Sequence, residues 1–215
     1  QSSVRIRGAA ASHTLVVLDG IALNDPTSPA GGYDFSRFDV AMLDRVEILR
    51  GAQSTLWGSE AMGGVVSITS PQATETLSGT AFGEIGSYST LRGGANFSGT
   101  HNDHTFRFGV SGITTDGISK ADEDDGNTEA DGYEAIHAHG RAGLALGQTA
   151  KLDLTLLYSD SEADIDGFNA AFQFADTDEE SLVTELSGSA KLSFPLLSDR
   201  LENAITLGRS EIERE

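Results

Sequence analysis

Apolar and polar residues alternate over most of this chain, and that alternation restricts its fold more than any other feature. From about residue 78 onward, segments of roughly ten residues carry apolar side chains at every second position. The apolar positions of four segments are Phe106, Phe108 and Val110; Ile136, Ala138, Ala142, Leu144 and Leu146; Leu152, Leu154, Leu156 and Tyr158; and Leu182, Leu186, Ala190, Leu192 and Phe194. Neighbouring side chains point to opposite faces of a strand, so the pattern predicts strands with one apolar face and one polar face, and it assigns Arg141 to the polar face.

The links between these strands alternate in length. The short links are residues 100–103, 147–150 and 195–200, and the long links are residues 116–132 and 161–181. Outer-membrane barrels have short turns at one end, long loops at the other, and a polar interior. The alternation therefore favours a membrane barrel, although a soluble β-sandwich or a surface repeat protein shares the period of two.

Composition excludes several other classes of protein. The chain has 14 basic and 33 acidic residues, a net charge of −19, which argues against nucleic acid as a partner because phosphate contacts need a basic face. It contains no cysteine, so it has no disulfide or thiolate chemistry. No run of 18 apolar residues is present, which excludes a transmembrane helix. No catalytic spacing of nucleophile, base and acid is recognisable, so we expect no enzyme.

The first 72 residues follow a different pattern and predict a small α+β unit. The expected strands are residues 4–7, 15–18, 46–49 and 63–69, with a helical turn at 40–44 and a short helix at 54–60. Residues 24–32 are expected to form a loop, because two prolines and two glycines fall within them. Gly51, Gly58, Gly63 and Gly64 are expected to serve tight turns and close backbone approach.

Four motifs of this unit resemble one family. They are Val4-Arg-Ile-Arg-Gly8, Leu18-Asp-Gly20, Leu43-Asp-Arg-Val-Glu-Ile-Leu-Arg-Gly51 and Leu56-Trp-Gly-Ser-Glu-Ala-Met-Gly-Gly-Val-Val-Ser-Ile-Thr69. In this order they resemble the plug domain of TonB-dependent outer-membrane receptors, especially the vitamin B12 and catecholate-siderophore branch. The resemblance implies that residues 1–72 are the C-terminal part of an α+β plug domain. Residues 73–215 would then be the N-terminal antiparallel strands of a transmembrane β-barrel, about seven of about 22 strands.

The resemblance also implies a function. We expect a receptor in the outer membrane of a Gram-negative bacterium that takes up a scarce ligand such as cobalamin or an iron-siderophore. Its expected partners are membrane lipid and the periplasmic energy-coupling protein TonB. We also expect the N-terminal coupling segment, the first part of the plug and the remaining strands to lie outside this sequence. The alternative function is a calcium-binding extracellular structural or adhesive β protein, which the acidic loops and alternating strands alone would support.

The loop after the second predicted strand holds the candidate ligand-binding residues. In the family this plug apex faces the external vestibule. Here it offers a mixture suited to hydrogen bonding with a large polar ligand, namely Asn24, Asp25, Thr27, Ser28 and Tyr33. An ordinary exposed turn is the alternative interpretation.

Acidic residues crowd the long links and suggest a metal. Dense carboxylates repel one another unless a hard cation joins them, and calcium takes six to eight oxygen ligands. The candidate ligands are Asp124, Glu129, Asp131, Asp160 and Asp166. Calcium is the only cofactor we expect, with no organic cofactor. Because no EF-hand pattern is present, a solvated acidic loop remains the alternative.

The sequence also predicts roles for two further groups of charged or titratable residues. Arg45, Glu47 and Arg50 are candidates for ionic contacts between plug and barrel, with simple surface charges as the alternative. His137 and His139 lie two residues apart on one strand and should point into the lumen. We interpret them as polar lining in preference to a transition-metal site, because no third ligand is near in sequence.

Overall fold

A computed structural model describes residues 2–25, 27–28, 30–119, 129–168, 174–197 and 200–215. They form two sheets. A four-stranded sheet, in the order β2-β1-β4-β3, contains Thr14–Leu18 (β1), Ile21–Ala22 (β2), Arg45–Arg50 (β3) and Gly64–Thr69 (β4). Single 3-10 turns lie at Ala11–His13, Phe35–Arg37 and Val40–Met42, and one short helix, α1, at Ser54–Trp57. No helix among the described residues is long and apolar enough to cross a membrane.

The small sheet forms around two buried strands. β1 and β4 pair in parallel, and both are rich in valine, leucine and isoleucine, as expected for strands covered on both faces. β1 turns directly into β2 through Asp19 and Gly20, whose φ angles of 49° and 90° suit the tight turn of a two-residue hairpin. The strands predicted at 15–18, 46–49 and 63–69 are therefore confirmed.

The strand predicted at residues 4–7 is wrong. The chain turns there instead, with φ of 53° at Arg7 and 79° at Gly8, and the Ala9 amide donates to the Ile6 carbonyl at 3.1 Å. The apolar residues of this motif serve packing, because Ile6 is buried in the core of the small sheet. An alternation of only four residues does not distinguish a strand from a turn that buries one side chain.

Gly64 is required by close packing at the start of β4. A Cβ placed there would lie 2.8 Å from Cδ1 of Ile6 and 2.5 Å from the carbonyl oxygen of Leu49, and its φ is 155°. At Gly63, the amide donates to the carbonyl of His13 at 2.7 Å. These two glycines therefore allow β4 to approach the segment before β1, as predicted.

The second sheet is antiparallel, and its seven strands follow one another in chain order. They are Ser78–Ile85 (β5), Leu91–His101 (β6), His104–Ile118 (β7), Asp131–Leu146 (β8), Ala150–Phe168 (β9), Phe174–Leu196 (β10) and Leu201–Arg214 (β11). We call β5–β11 the wall. The prediction of a small α+β unit followed by antiparallel strands is confirmed.

The predicted two faces of the wall are present. Phe108, Leu156 and Leu186 point outward with 54%, 55% and 47% of their surface exposed. Ser111 and Ser187, at positions of opposite parity, point to the inner face and are buried. The inner face lies against residues 2–70, which we call the inner unit, and Leu157 of β9 joins its apolar core.

One predicted link is mostly strand. β9 continues to Phe168 and β10 begins at Phe174, so residues 161–168 and 174–181 extend the hairpin beyond the predicted end of the strands. A ladder of backbone hydrogen bonds does not require apolar side chains, so the acidic residues of this segment did not end the strand. Residues 119–130 separate β7 from β8, within the link predicted at 116–132.

The ends of the wall are distinct. The short turns β6–β7, β8–β9 and β10–β11 lie at one end, and the longer links β7–β8 and β9–β10 at the other. Asp25 of the inner unit contacts Arg214 at the long-link end, whereas Thr74 contacts Ser98 near the short turns. The predicted domain boundary at 72/73 falls in the segment that joins the two sheets.

Candidate ligand site between the inner unit and the wall

Three aspartates of the inner unit are held by arginines of the wall. The pairs are Asp39 with Arg92 at 2.6 Å, Asp19 with Arg141 at 3.4 Å, and Asp25 with Arg214 at 2.7 Å. All three carboxylates are almost completely shielded from solvent. A buried carboxylate is costly unless it is paired, so these contacts fix how the two units sit together.

Asp39 makes the most connected of these contacts. It lies directly before the turn Val40–Met42 and accepts hydrogen bonds from Arg92 of β6 and from the Ser111 hydroxyl of β7. Arg92 also contacts Glu84 of β5 at 3.1 Å. One carboxylate of the inner unit is thus tied to two strands of the wall directly and to a third through Arg92.

Asp19 joins the hairpin turn of the small sheet to β8. Its carboxylate accepts from the backbone amide of Ser70 at 3.1 Å, and Arg141 donates both to Asp19 and to the Ser70 hydroxyl, at 3.4 and 3.3 Å. The Leu-Asp-Gly motif of the sequence therefore supplies a turn and a contact to the wall.

Asp25 organises the loop that follows β2. One oxygen accepts from the amide and hydroxyl of Thr27, at 2.9 and 2.6 Å, and from the amide of Ser28 at 3.2 Å. The other oxygen accepts from Arg214 at 2.7 Å. Burial alone would raise the pKa of Asp25, but the hydrogen bonds from Thr27 and the charge of Arg214 outweigh it, so the pKa lies below its usual value.

Most of the predicted ligand-binding residues hold the loop together. The Asn24 side chain bonds to the amide of Val16 at 2.8 Å and to the carbonyls of Thr14 and Gly31 at 3.1 and 3.3 Å. Asp25, Ser28 and Tyr33 are buried. Thr27 is exposed on the surface. A role of these five residues toward a ligand stays a prediction.

A cavity of about 440 Å³ opens between the inner unit and the long-link end of the wall. The inner unit contributes Asp34 and Ser36. The wall contributes polar groups and a small apolar strip, namely Asp131, Tyr133, Ser161, Ser181 and Arg214 together with Ala163, Ile165 and Val183. Its size and mixed lining are typical of a site for a small organic ligand or metal complex.

Asp34 is a hydrogen-bonded carboxylate in the lining of this cavity. It accepts from the amide and hydroxyl of Ser36, at 3.1 and 2.7 Å, and from the amide of Ser2 at 2.8 Å. Burial raises the pKa of Asp34, but the hydrogen bonds from Ser36 and Ser2 more than compensate and keep the pKa below its usual value.

The predicted calcium ligands are dispersed, as far as the structure describes them. Asp124 lies outside the described residues. Asp131 lines the cavity, Glu129 is exposed just before it, and Asp160 lies on the outer face, where it accepts from the Thr184 hydroxyl at 2.8 Å. Asp166 of β9 has a buried carboxylate oxygen. Within the described residues no three His, Asp or Glu side chains are arranged to hold a metal. Calcium binding stays a prediction.

The residues predicted to make ionic contacts between plug and barrel, which we call the ionic lock, are Arg45, Glu47 and Arg50. They lie on the side of the inner unit away from β10 and β11. Those strands contact β2, and β3 is the opposite edge of the small sheet. On β3, Arg45 and Glu47 are exposed and pair with each other at 3.5 Å, and Arg50 is also exposed. Their contact with a barrel stays a prediction.

The three arginines that hold the inner unit were not among the predicted site residues. The alternation nevertheless places their side chains on the inner face of the wall. Arg141 was assigned to the polar face by its parity, and Arg92 and Arg214 occupy inward positions of their strands as well. His137 and His139 also lie on this inner face, and His137 is only 5% exposed. Alternation identifies the inward side chains but not their partners.

Comparison with known proteins agrees with this arrangement. Residues 1–65 match the family model of the TonB-dependent Receptor Plug Domain. The chain is 28% identical over 214 residues to the vitamin B12 transporter BtuB of Photobacterium profundum, covering 99% of this chain and 34% of that protein. The chain therefore spans about a third of the length of this curated relative.

Two solved structures share the fold. The siderophore receptor PirA from Acinetobacter baumannii superposes with a TM-score of 0.75 at 18% identity, covering 98% of this chain and 33% of that one. The ferric-catecholate import receptor Fiu from E. coli K12 gives a TM-score of 0.76 at 20% identity, covering 99% and 33%.

A small mixed sheet held by charge pairs against the polar face of an antiparallel wall is the arrangement expected for a plug beside part of a β-barrel wall. Residues 1–65 match the plug domain of TonB-dependent receptors, and the strands that follow share the fold of the first barrel strands of the two solved receptors. The plug-domain match favours this class over a calcium-binding adhesive protein, which has no reason to carry a plug.

Proposed function

We propose that this chain is the plug and adjoining wall of a receptor that takes up a scarce ligand, such as cobalamin or an iron-siderophore, across the outer membrane. The observation that carries the proposal is the set of three Asp–Arg pairs between the inner unit and the wall. A plug must close the lumen when the receptor is at rest and still leave its position when it is pulled.

Charge pairs suit such a closure better than an apolar interface does. Polar groups can exchange a protein partner for water, whereas a buried apolar interface gains stability from every square ångström removed from water. Here Arg92, Arg141 and Arg214 keep between a fifth and a third of their side-chain surface exposed. Water can therefore reach the wall side of each contact and replace the carboxylate as the plug moves.

The cavity at the long-link end supports the same function. It lies between two residues of the inner unit, Asp34 and Ser36, and the long-link end of β8–β10. A bound ligand would therefore touch both units. A ligand in contact with both can change how firmly the plug is held, provided that it binds the two arrangements with different affinity. Energy for the movement would come from TonB on the periplasmic side.

The outer face of the wall supports a place in the membrane. Large apolar residues stay exposed along it, including Phe97, Phe108, Val110, Ile136 and Leu207, at 46–71%. An exposed apolar band of this kind is typical of a surface covered by lipid. We propose further that the chain has no catalytic activity, in keeping with a family of receptors.

Uptake by cells tests this proposal directly. The complete receptor is expressed in a Gram-negative strain that lacks its own receptors for cobalamin and ferric siderophores, and accumulation of ⁵⁷Co-cyanocobalamin and of ⁵⁵Fe-siderophores is measured. We expect uptake of at least one probe that requires both the receptor and TonB. Uptake that is unchanged in a TonB-deficient strain, or absent for every probe, contradicts the proposal.

A further inference from the structure

A second, smaller cavity lies beside the cavity of about 440 Å³, which we call the ligand cavity. The smaller one has a volume of about 140 Å³, and two of its lining residues, Ser36 and Tyr133, also line the ligand cavity. Because the two cavities share these residues, they lie next to each other, and we call the smaller one the recess. Asp39, Arg92 and His137 also line it. The recess therefore extends the ligand cavity toward the Asp39–Arg92 pair that holds the inner unit.

His137 brings an unsatisfied polar atom to the recess. The residue is only 5% exposed, and its Nδ1 atom is shielded from solvent without a hydrogen-bond partner among the described residues. By contrast, the Ser36 hydroxyl donates to Asp34 at 2.7 Å, and Arg92 donates to Asp39 at 2.6 Å. A buried polar atom without a partner costs free energy. A group that enters the recess and bonds to His137 offsets that cost.

The size of the recess limits what can enter it. A volume of about 140 Å³ equals the share of four or five water molecules in the liquid, at about 30 Å³ each. That space is too small for a whole siderophore or corrinoid. It is large enough for one short side arm of a ligand whose main body lies in the ligand cavity.

The chemistry of His137 indicates which arm fits. A neutral imidazole has one N–H donor and one acceptor nitrogen, and either can be at Nδ1. A carboxamide has both a donor and an acceptor, so it can bond to Nδ1 in either tautomer, whereas a carboxylate only accepts. A carboxamide on a short carbon chain also fills the recess, whereas a lone hydroxyl leaves most of the space to water.

We propose that the recess receives a carboxamide arm of the ligand and that His137 binds this arm as a specificity-determining residue. The inference rests on the proposed function, because it concerns the ligand of the same receptor. The arm passes Ser36 and Tyr133 on its way from the ligand cavity. Inside the recess it also lies against Asp39 and Arg92, so it reaches one of the contacts between the inner unit and the wall.

Binding of cyanocobalamin, whose periphery carries primary carboxamides, to the complete purified receptor in detergent tests this inference. His137→Phe keeps a ring of similar size and removes both nitrogens, so the affinity should fall about five- to twentyfold. His137→Asn places an amide near the position of Nδ1, so the affinity should stay within about threefold of the wild type. Ferric enterobactin has no primary carboxamide and should not distinguish His137→Phe from the wild type.

The matched control is His139→Phe. His139 lies two residues further along β8 on the same inner face, and its Nε2 atom is likewise buried without a partner in the described part of the chain. It lines neither the recess nor the ligand cavity, because its ring lies over Gly109. The control should therefore leave the affinity for cyanocobalamin within about twofold of the wild type.

Thermal unfolding separates binding from packing. His137→Phe removes no hydrogen bond at Nδ1, so this variant should unfold at or above the temperature of the wild type. Weaker binding together with a lower unfolding temperature indicates a packing role for His137 and overturns the inference. Unchanged affinity in His137→Phe also overturns it, because the recess then holds only water.

The remaining outcomes distinguish this inference from the function on which it rests. A receptor that takes up ferric siderophores in a TonB-dependent manner but does not bind cyanocobalamin overturns the carboxamide assignment and leaves the receptor function standing. Absence of TonB-dependent uptake for every probe counts against the receptor function, and the inference falls with it.

Discussion

Arg214, near the end of β11, donates a hydrogen bond of 2.7 Å to Asp25, which lies 189 residues earlier in the loop after β2. Asp25 is completely buried, and its other oxygen holds Thr27 and Ser28. A single carboxylate therefore fixes the conformation of this loop and also attaches it to the wall. Arg214 also lines the cavity, so the attachment lies where a ligand would be bound.

Removal of this contact should loosen the loop. Arg214→Ala removes the guanidinium that donates to the buried carboxylate of Asp25, and we expect a loss of about 1–3 kcal/mol in the free energy of unfolding. The loss should be smaller in Arg214→Lys, which keeps the charge. Thermal or chemical unfolding of the purified protein measures it. Lys151→Ala is the control, because its exposed pair with Asp153 should contribute less than about 1 kcal/mol. Equal effects of the two alanine variants would contradict the assignment.

Acid should weaken the same loop. The pKa of Asp25 is lower in the folded protein than in the unfolded chain, so its stabilising contribution is fully present above the unfolded pKa of about 3.9 and is lost as the pH falls through the folded value. Protease sensitivity of the loop should therefore rise as the pH falls below about 4.

Two variants test that pH dependence. Asp25→Asn removes the titrating group, so its acid profile should be flatter than that of the wild type. Thr27→Val removes one hydrogen bond to the carboxylate and should move the acid transition to higher pH. A wild-type profile in Asp25→Asn would show that another group controls the loop.

Gly64 should tolerate no side chain. A Cβ there meets Ile6 at 2.8 Å and Leu49, and the φ of 155° is unfavourable for other residues, so Gly64→Ala should cost about 2–4 kcal/mol in unfolding experiments. Gly83→Ala is the matched control on β5, where a Cβ meets nothing within 4 Å. We expect that control to change stability by less than about 0.5 kcal/mol, and similar losses in both variants would refute the packing argument.

The ionic lock remains a prediction for the exposed edge of the inner unit. If Glu47 and Arg50 contact a barrel, the double variant Glu47→Gln and Arg50→Gln in the complete receptor should lower plug stability and alter TonB-dependent uptake. Simple surface charges would contribute about 0–1 kcal/mol and leave uptake unchanged. Plug unfolding and uptake are measured together, with Lys151→Ala as the reference for a surface pair.

Calcium binding remains a prediction for the acidic residues at the long-link end, namely Asp124, Glu129, Asp131, Asp160 and Asp166. Titration calorimetry of the complete receptor with calcium up to millimolar concentration should give a saturable heat, which Glu129→Gln and Asp131→Asn should weaken. A solvated acidic loop gives no such heat, and its absence would remove calcium from the description of this protein.

The wall was predictable because its signal is local. A period of two needs only the identity of successive residues, and it placed Phe108 outward and Arg141 inward correctly. It failed at the ends of strands. Residues 161–168 were predicted to belong to a long link, yet β9 runs through them to Phe168.

The contacts between the units were not predictable in the same way. Asp39 and Arg92 are 53 residues apart, and Asp19 and Arg141 are 122 apart. Which arginine meets which aspartate depends on the curvature of the wall and on the position of the inner unit inside it, and neither leaves a periodic trace in the sequence. Tyr33 shows the same limit, because its burial against Phe35 at 5.2 Å depends on the folded loop.

The strict register of the wall determines how such a gene can change. One codon inserted in β8 just before Ile136 would turn His137 and Arg141 toward the outside and bring Ile136 to the inside, because β8 pairs with β9 without a register shift from Tyr133 to Leu146. An insertion of any length in the link between β7 and β8 leaves each strand side chain on the same face of the wall. Lineages that carry this protein can therefore lengthen this surface loop readily, whereas an odd insertion within a strand needs a bulge, such as the register shifts at 115/118 and 175/179, to absorb it.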